Sequence, residues 1–170
     1  MRKALIRLAW IIIVFGLVFS QAPAQGDLDT IQKKFVWYAM RCEKVCSDLR
    51  NLIPQPDQAL PGTERSRMYP YLIVNECISE ISLICCYEQE AMKNFLTMKD
   101  KHASDDLELR KSMLAWAKKR VNDKIKLMES MRASIDNKDA LQLINEAKKI
   151  SRSCLKRFDD ALSIIQRNLD

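Results

Sequence analysis

Histidine, glycine and proline are scarce in this chain: of 170 residues, 1 is His, 3 are Gly and 5 are Pro, and aromatics make up 7%. The single histidine, His102, excludes a His-rich metal site and an HExxH zinc helix, and leaves no set of histidines from which to build a Ser-His-Asp triad. So few glycines and prolines argue against collagen-like repeats and a turn-rich all-β fold. What is present points to helices. Apolar residues make up 48% of the chain and charged residues 29%, which favours a packed core over disorder, and the length suits one domain. No catalytic residue stands out, so the chain reads as a protein without enzymatic activity.

The N-terminus carries Arg2, Lys3 and Arg7, then an apolar stretch from Leu8 to Phe19, then Ala22-Pro23-Ala24 with small residues where a signal peptidase reads. Residues 1–24 are therefore expected to be a cleavable signal peptide, with residues 25–170 forming the mature domain from Gln25 onward. The apolar stretch is shorter than the ~20 residues that span a bilayer, so membrane contact is expected only transiently, through the signal. The expected location is secreted or periplasmic.

Removing the signal leaves 25 basic and 22 acidic residues, a net charge of +3. The balance is uneven along the chain. Residues 25–98 hold 8 basic and 10 acidic side chains, whereas residues 99–157 hold 16 basic and 9 acidic. In an exported protein such a field suits an anionic envelope surface or an acidic partner protein better than nucleic acid. The candidate face comprises Lys118 and Lys119, beside Arg120, with Lys148, Arg152 and Lys156 at intervals of four. Of the stacking aromatics that a nucleic-acid module would interleave with such cations, only Trp116 qualifies.

Apolar periodicity predicts four helices. Leu28, Ile31, Phe35, Tyr38, Cys42, Val45, Leu49 and Leu52 alternate at spacings of three and four, one helical stripe ending before Pro54. Residues 53–68, with Pro54, Pro56, Pro61 and Gly62, read as a long loop. A second stripe, expected to start near Pro70, runs through Val74, Cys77, Ile78, Ile81, Ile84, Cys85, Glu88, Met92, Phe95 and Met98. Leu107, Leu114, Val121, Met128 and Ile135 form a third, after Ser104 and the acidic pair Asp105-Asp106. The fourth begins near Asn137 or Asp139 and passes Leu141, Ile144, Ala147, Cys154, Leu155, Phe158, Leu162, Ile165 and Leu169. Short second and third connections favour neighbouring antiparallel helices, so the expected fold is an all-α, up-down-up-down four-helix bundle with long helices.

Six cysteines, Cys42, Cys46, Cys77, Cys85, Cys86 and Cys154, form an even set in a chain directed to an oxidising compartment, which favours disulfides. Depth along the bundle suggests Cys46 with Cys77, and Cys85 or Cys86 with Cys154. The alternative is a soft-metal site for Cu(I), built from Cys42, Cys46, Cys77, Cys85 and Cys154 with nearby methionine thioethers. The Cys42-x-x-x-Cys46 pair and the helical architecture are similar to the cysteine-lined four-helix copper-storage bundles, a resemblance that implies metal storage, although those bundles carry many more inward cysteines. Neither CxxCH nor paired CxxC motifs occur, so covalent haem and structural zinc are not expected, and no cofactor is assigned.

A short local resemblance lies at Ser153-Cys154-Leu155-Lys156-Arg157-Phe158-Asp159-Asp160-Ala161-Leu162. It resembles the cysteine-centred helix of plant invertase and pectin-methylesterase inhibitors, which are secreted four-helix bundles, and so implies enzyme inhibition as a further possibility. The family's N-terminal cysteine hairpin is missing here. Three other residues stand out. Glu88 falls on a core stripe, where it either acts as a buried carboxylate or reaches the bundle edge and pairs with a lysine, and Trp37 and Trp116 flank the stripes, packing between helices or lining a pocket. The sequence as a whole indicates an exported, disulfide-stabilised helical-bundle binding protein that recognises its partner through a helix face or groove.

Overall fold

The computed structural model describes residues 27–53, 63–97 and 104–169. The proposed signal peptide, most of the proline-rich connection, Met98 and His102 lie outside the described residues. Nearly all of the described residues fall in four helices: α1 (residues 27–50), α2 (Thr63–Thr97), α3 (Ser104–Arg132) and α4 (Lys138–Leu169). The described chain is all-helical.

The stripes read from the sequence are the buried faces. On α1, Leu28, Ile31, Phe35, Tyr38, Cys42, Val45 and Leu49 are buried, whereas Lys33, Lys34, Glu43 and Lys44 between them are exposed. Val74, Cys77, Ile78, Ile81, Cys85, Met92 and Phe95 do the same on α2, and Leu107, Leu114, Val121 and Met128 on α3. The stripe of α4 turns slightly from its expected line. Ile144, Ala147, Cys154, Phe158 and Ile165 are buried as expected, but Leu141, Leu155 and Leu162 are only partly so, and Ile150, Ser151, Ala161 and Ile164 take core positions.

Helix ends follow local chemistry with one exception. The Asn137 side chain accepts a hydrogen bond from the Ala140 amide at 3.0 Å, so Asn137 caps α4. Asp105 and Asp106 lie in the first turn of α3, where a carboxylate favours the positive end of the helix. The exception is Pro70, which lies inside α2 because the helix starts at Thr63 and not at the proline. As the eighth residue of α2, Pro70 lies beyond the four N-terminal positions that need no donor, so the helix forgoes one bond to the Ser66 carbonyl there and continues past it.

Packing is read from the contacts between helices. Ser82 Oγ donates to the Ala39 carbonyl at 3.1 Å and Cys46 Sγ to that of Asn75 at 3.3 Å, tying α1 to α2. Glu88 meets Arg110 and Glu80 meets Lys124 between α2 and α3; Asp159 meets Lys118 and Glu129 meets Lys148 between α3 and α4. The rings of Phe35 and Phe158 pack at 4.9 Å, tilted by 45°, between α1 and α4, where Arg41 also bonds Glu146. Along each pair, residues of rising number on one helix meet residues of falling number on the other. The α3–α4 contact is the most extensive among α2, α3 and α4, whereas α2 and α4 touch sparsely.

Candidate functional site

Five of the six cysteines are buried and Cys86 is exposed; all six are free thiols, so no disulfide is formed among the described residues. The expected Cys46–Cys77 bridge is replaced by a different arrangement, because Cys46 turns its sulfur to the Asn75 carbonyl. Cys85 and Cys154 do come together. Their sulfurs lie 3.4 Å apart in the core, a contact between free thiols and not the disulfide expected for Cys85 or Cys86 with Cys154, bridging α2 and α4 where those helices otherwise touch little.

Three of the buried thiols hold their protons tightly. The bond to Cys154, followed by burial, holds the Cys85 thiol well above its ordinary value. Burial, with the neighbouring Cys85 and Cys46 adding to it, also pushes Cys42 far up. Cys77 is pushed up to about 11 by burial, against the opposing effect of Lys124. A nucleophilic cysteine works as the thiolate, which each of these environments disfavours. Among the described residues, no three His, Cys, Asp or Glu side chains converge as a metal site, so Cys42, Cys46, Cys77, Cys85 and Cys154 do not form one cluster.

The basic residues divide into two groups. Lys148 and Arg152 on α4 both reach Glu129 Oε1 at 3.0 Å, and Lys118 pairs with Asp159, so much of the expected positive face is matched internally. The lysine and arginine bonds hold the Glu129 carboxyl below its usual range, Lys148 first. Lys119 and Lys156 remain exposed. Lys156 joins Lys148, Lys149, Arg152 and Ser153 along a shallow groove of about 480 Å³.

A larger hollow lies elsewhere, between α2 and α3. It encloses about 670 Å³, with Leu83, Ile84, Tyr87, Met113 and Trp116 on its walls. Trp116 is 61% exposed and Tyr87 72%, far more than core packing would leave. Trp116 therefore lines a groove and is not packed between helices. Arg120 caps the indole face at 5.8 Å and reaches Glu80 at 3.6 Å, so an ion pair borders the apolar wall. Trp37 on α1 is also half-exposed, with Arg41 over its ring at 5.9 Å and Tyr38 edge-on at 5.2 Å.

Beneath the groove wall lies the buried pair Glu88–Arg110. Glu88 is 4% exposed and so is Arg110, and the carboxylate accepts from Arg110 Nη2. The partner is an arginine in the interior, not a lysine at the bundle edge. Burial raises the Glu88 carboxyl above its usual range, and the Arg110 charge and bond oppose that shift without cancelling it. The periodicity does place Arg110 in the interior, three residues after Leu107 and four before Leu114 on the same stripe, a charged residue in a core position that the apolar pattern passes over. The signal for the groove in the sequence is the apolar set displaced from the core stripes: Leu83 and Tyr87 four apart on α2, and Leu109, Met113 and Trp116 at spacings of four and three on α3. Such a second stripe marks a helix that presents apolar side chains on two faces.

Among the described residues, no helix is long and apolar enough to cross a membrane. No protein-family model, curated protein or solved structure matches the chain.

Proposed function

We propose that the protein is an exported, non-enzymatic, up-down-up-down four-helix bundle that binds a small apolar molecule in the groove between α2 and α3. The observation that carries this reading is the groove itself. Its volume of about 670 Å³ lies within the range of small-molecule sites, and its walls combine aromatic and aliphatic side chains with a few polar groups at the edge. Folding alone gives no reason to keep Leu83, Tyr87, Met113 and Trp116 together in water. Export is supported by Arg2, Lys3 and Arg7, the apolar run after them and Ala22-Pro23-Ala24; sequencing the N-terminus of exported protein should find Gln25.

The test is a titration with Nile red, a neutral dye that fluoresces in apolar surroundings. Dye fluorescence should rise and saturate with the intact protein, and Trp116→Lys or Met113→Lys should weaken binding at least tenfold while circular dichroism shows an unchanged helix content. Equal dye binding by the variants would overturn the groove reading.

A second reading has its own observation. Lys149, Arg152 and Lys156 line a continuous groove on α4, a surface suited to an anionic envelope polymer or an acidic partner protein. Retention on an anionic vesicle or polymer that falls steeply between low and physiological salt would support it, and salt-indifferent binding would exclude it.

A further inference from the structure

Cys85 and Cys154 meet where their helices otherwise hardly do. Both are fully buried, one on α2 and one on α4, and these helices touch only sparsely. Their sulfurs are nevertheless 3.4 Å apart, within reach of a thiol hydrogen bond. A disulfide shortens that separation to about 2 Å, so each sulfur has to move by only about 0.7 Å.

The remaining cysteines are placed differently. Cys46 donates to the Asn75 carbonyl, and Cys86 is exposed although Cys85 beside it in the chain is buried, so the two leave α2 on different faces. Cys77 lies by Lys124 of α3. Cys42 is the rival partner, since it also neighbours Cys85, but the thiol bonded to Cys85 is that of Cys154.

We infer that Cys85 and Cys154 are a redox pair: a low-molecular-weight disulfide such as oxidised glutathione converts their contact into one disulfide joining α2 to α4, in which the other four cysteines take no part. In the first exchange the thiolate of one cysteine attacks the small disulfide, whose S–S bond breaks. The departing sulfur takes up the proton, and the protein keeps a mixed disulfide. In the second, the thiolate of the other cysteine attacks the protein sulfur of that mixed disulfide, which forms the Cys85–Cys154 bond and releases the second small thiol. Two protein thiols are oxidised and one small disulfide is reduced to two thiols. Since both sulfurs are shielded from water in the folded chain, exchange takes place while α2 and α4 are still coming together or when they part. Nothing in this depends on what the groove binds.

The test is to refold the protein from urea in a mixture of reduced and oxidised glutathione, block the remaining thiols by alkylation under denaturing conditions, and map the peptides without reduction. One internal cross-link is expected, between Cys85 and Cys154. Because Cys86 adjoins Cys85, Cys86→Ser is mapped alongside and should form the same link; its side chain is exposed, so the substitution leaves the core intact. Cys154→Ala should abolish the link. The oxidised protein should also unfold at a higher urea concentration than the same protein after reduction, because the bond closes a loop spanning 69 positions that contains all of α3. Refolded protein with no internal cross-link, or with Cys85 or Cys154 joined to any other cysteine, would overturn the assignment. So would a urea midpoint that does not rise on oxidation, since the folded packing would then not accommodate the bond.

Discussion

Helix α4 and the α2–α3 pair solve the same packing problem differently. Among the described residues α4 has no large apolar side chain exposed, and its outer face is polar, with Asn145, Lys149, Arg152 and Ser163 in water. On α2 and α3, by contrast, Leu83, Tyr87, Leu109, Met113 and Trp116 all stand in water. A helix that needs only to fold has the first pattern, with an apolar stripe inward and solvated side chains outward. Residues kept apolar on the outer face of the second pair are unnecessary for the core, which is why the candidate site is sought there.

If that contrast is correct, the two regions respond differently to mutation. The largest effect should come from the α4 core. Phe158→Ala removes the ring packed against Phe35 and should lower stability by about 3–5 kcal/mol, read as a shift in the urea midpoint without a change in dye binding.

The buried pair beneath the groove comes next, because it ties α2 to α3 in the interior. Arg110→Met leaves the Glu88 carboxylate buried alone and should cost up to about 3–5 kcal/mol at neutral pH, whereas adding Glu88→Leu to it should recover most of the loss. A double variant no more stable than the single one would show that the pair is not a coupled unit.

Acid and base should act in a defined direction. Both Glu88 and Cys77 hold their protons more tightly in the folded chain, so each favours folding below its ordinary value and loses that contribution as pH rises. For Glu88 this window opens near pH 4.5 and extends upward. For Cys77 it runs from 9.0 to about 11. Thermal melting of Cys77→Ala should therefore show a flatter decline than the parent protein across that window, and an unchanged slope would exclude the thiol as a contributor.

The smallest effect on stability, and the clearest contrast with Phe158, should come from the exposed wall. Leu83→Lys should change stability, read from the urea midpoint, by no more than about 0.5 kcal/mol while weakening dye binding in the groove. A large loss of stability would mean that Leu83 serves the core after all, and the distinction between the two regions would fail.

The range over which each feature is determined explains which parts of this were legible in the sequence. The stripe from Leu28 to Leu49 and the acidic start of α3 could be read directly, since both depend on neighbours within two turns. Pro70 is misleading, because a rule that places proline in a first turn says nothing about residues willing to add helix before it. The cysteines show the limit most clearly. Their depth along the bundle could be counted, which brings Cys85 to the level of Cys154, but the rotation of each helix about its axis could not, and that rotation sends Cys46 to the Asn75 carbonyl.

The amino-acid sequence by itself determined the helices and their buried faces, because a period of 3.6 residues is a local property of the backbone. Only the tertiary structure decided that Glu88 would meet Arg110, that Cys85 would lie against Cys154, and that Trp116 would face a groove. Each of those depends on how far one helix is turned and slid against another, and that is set by the fit of all the core side chains at once, not by any one stretch of chain.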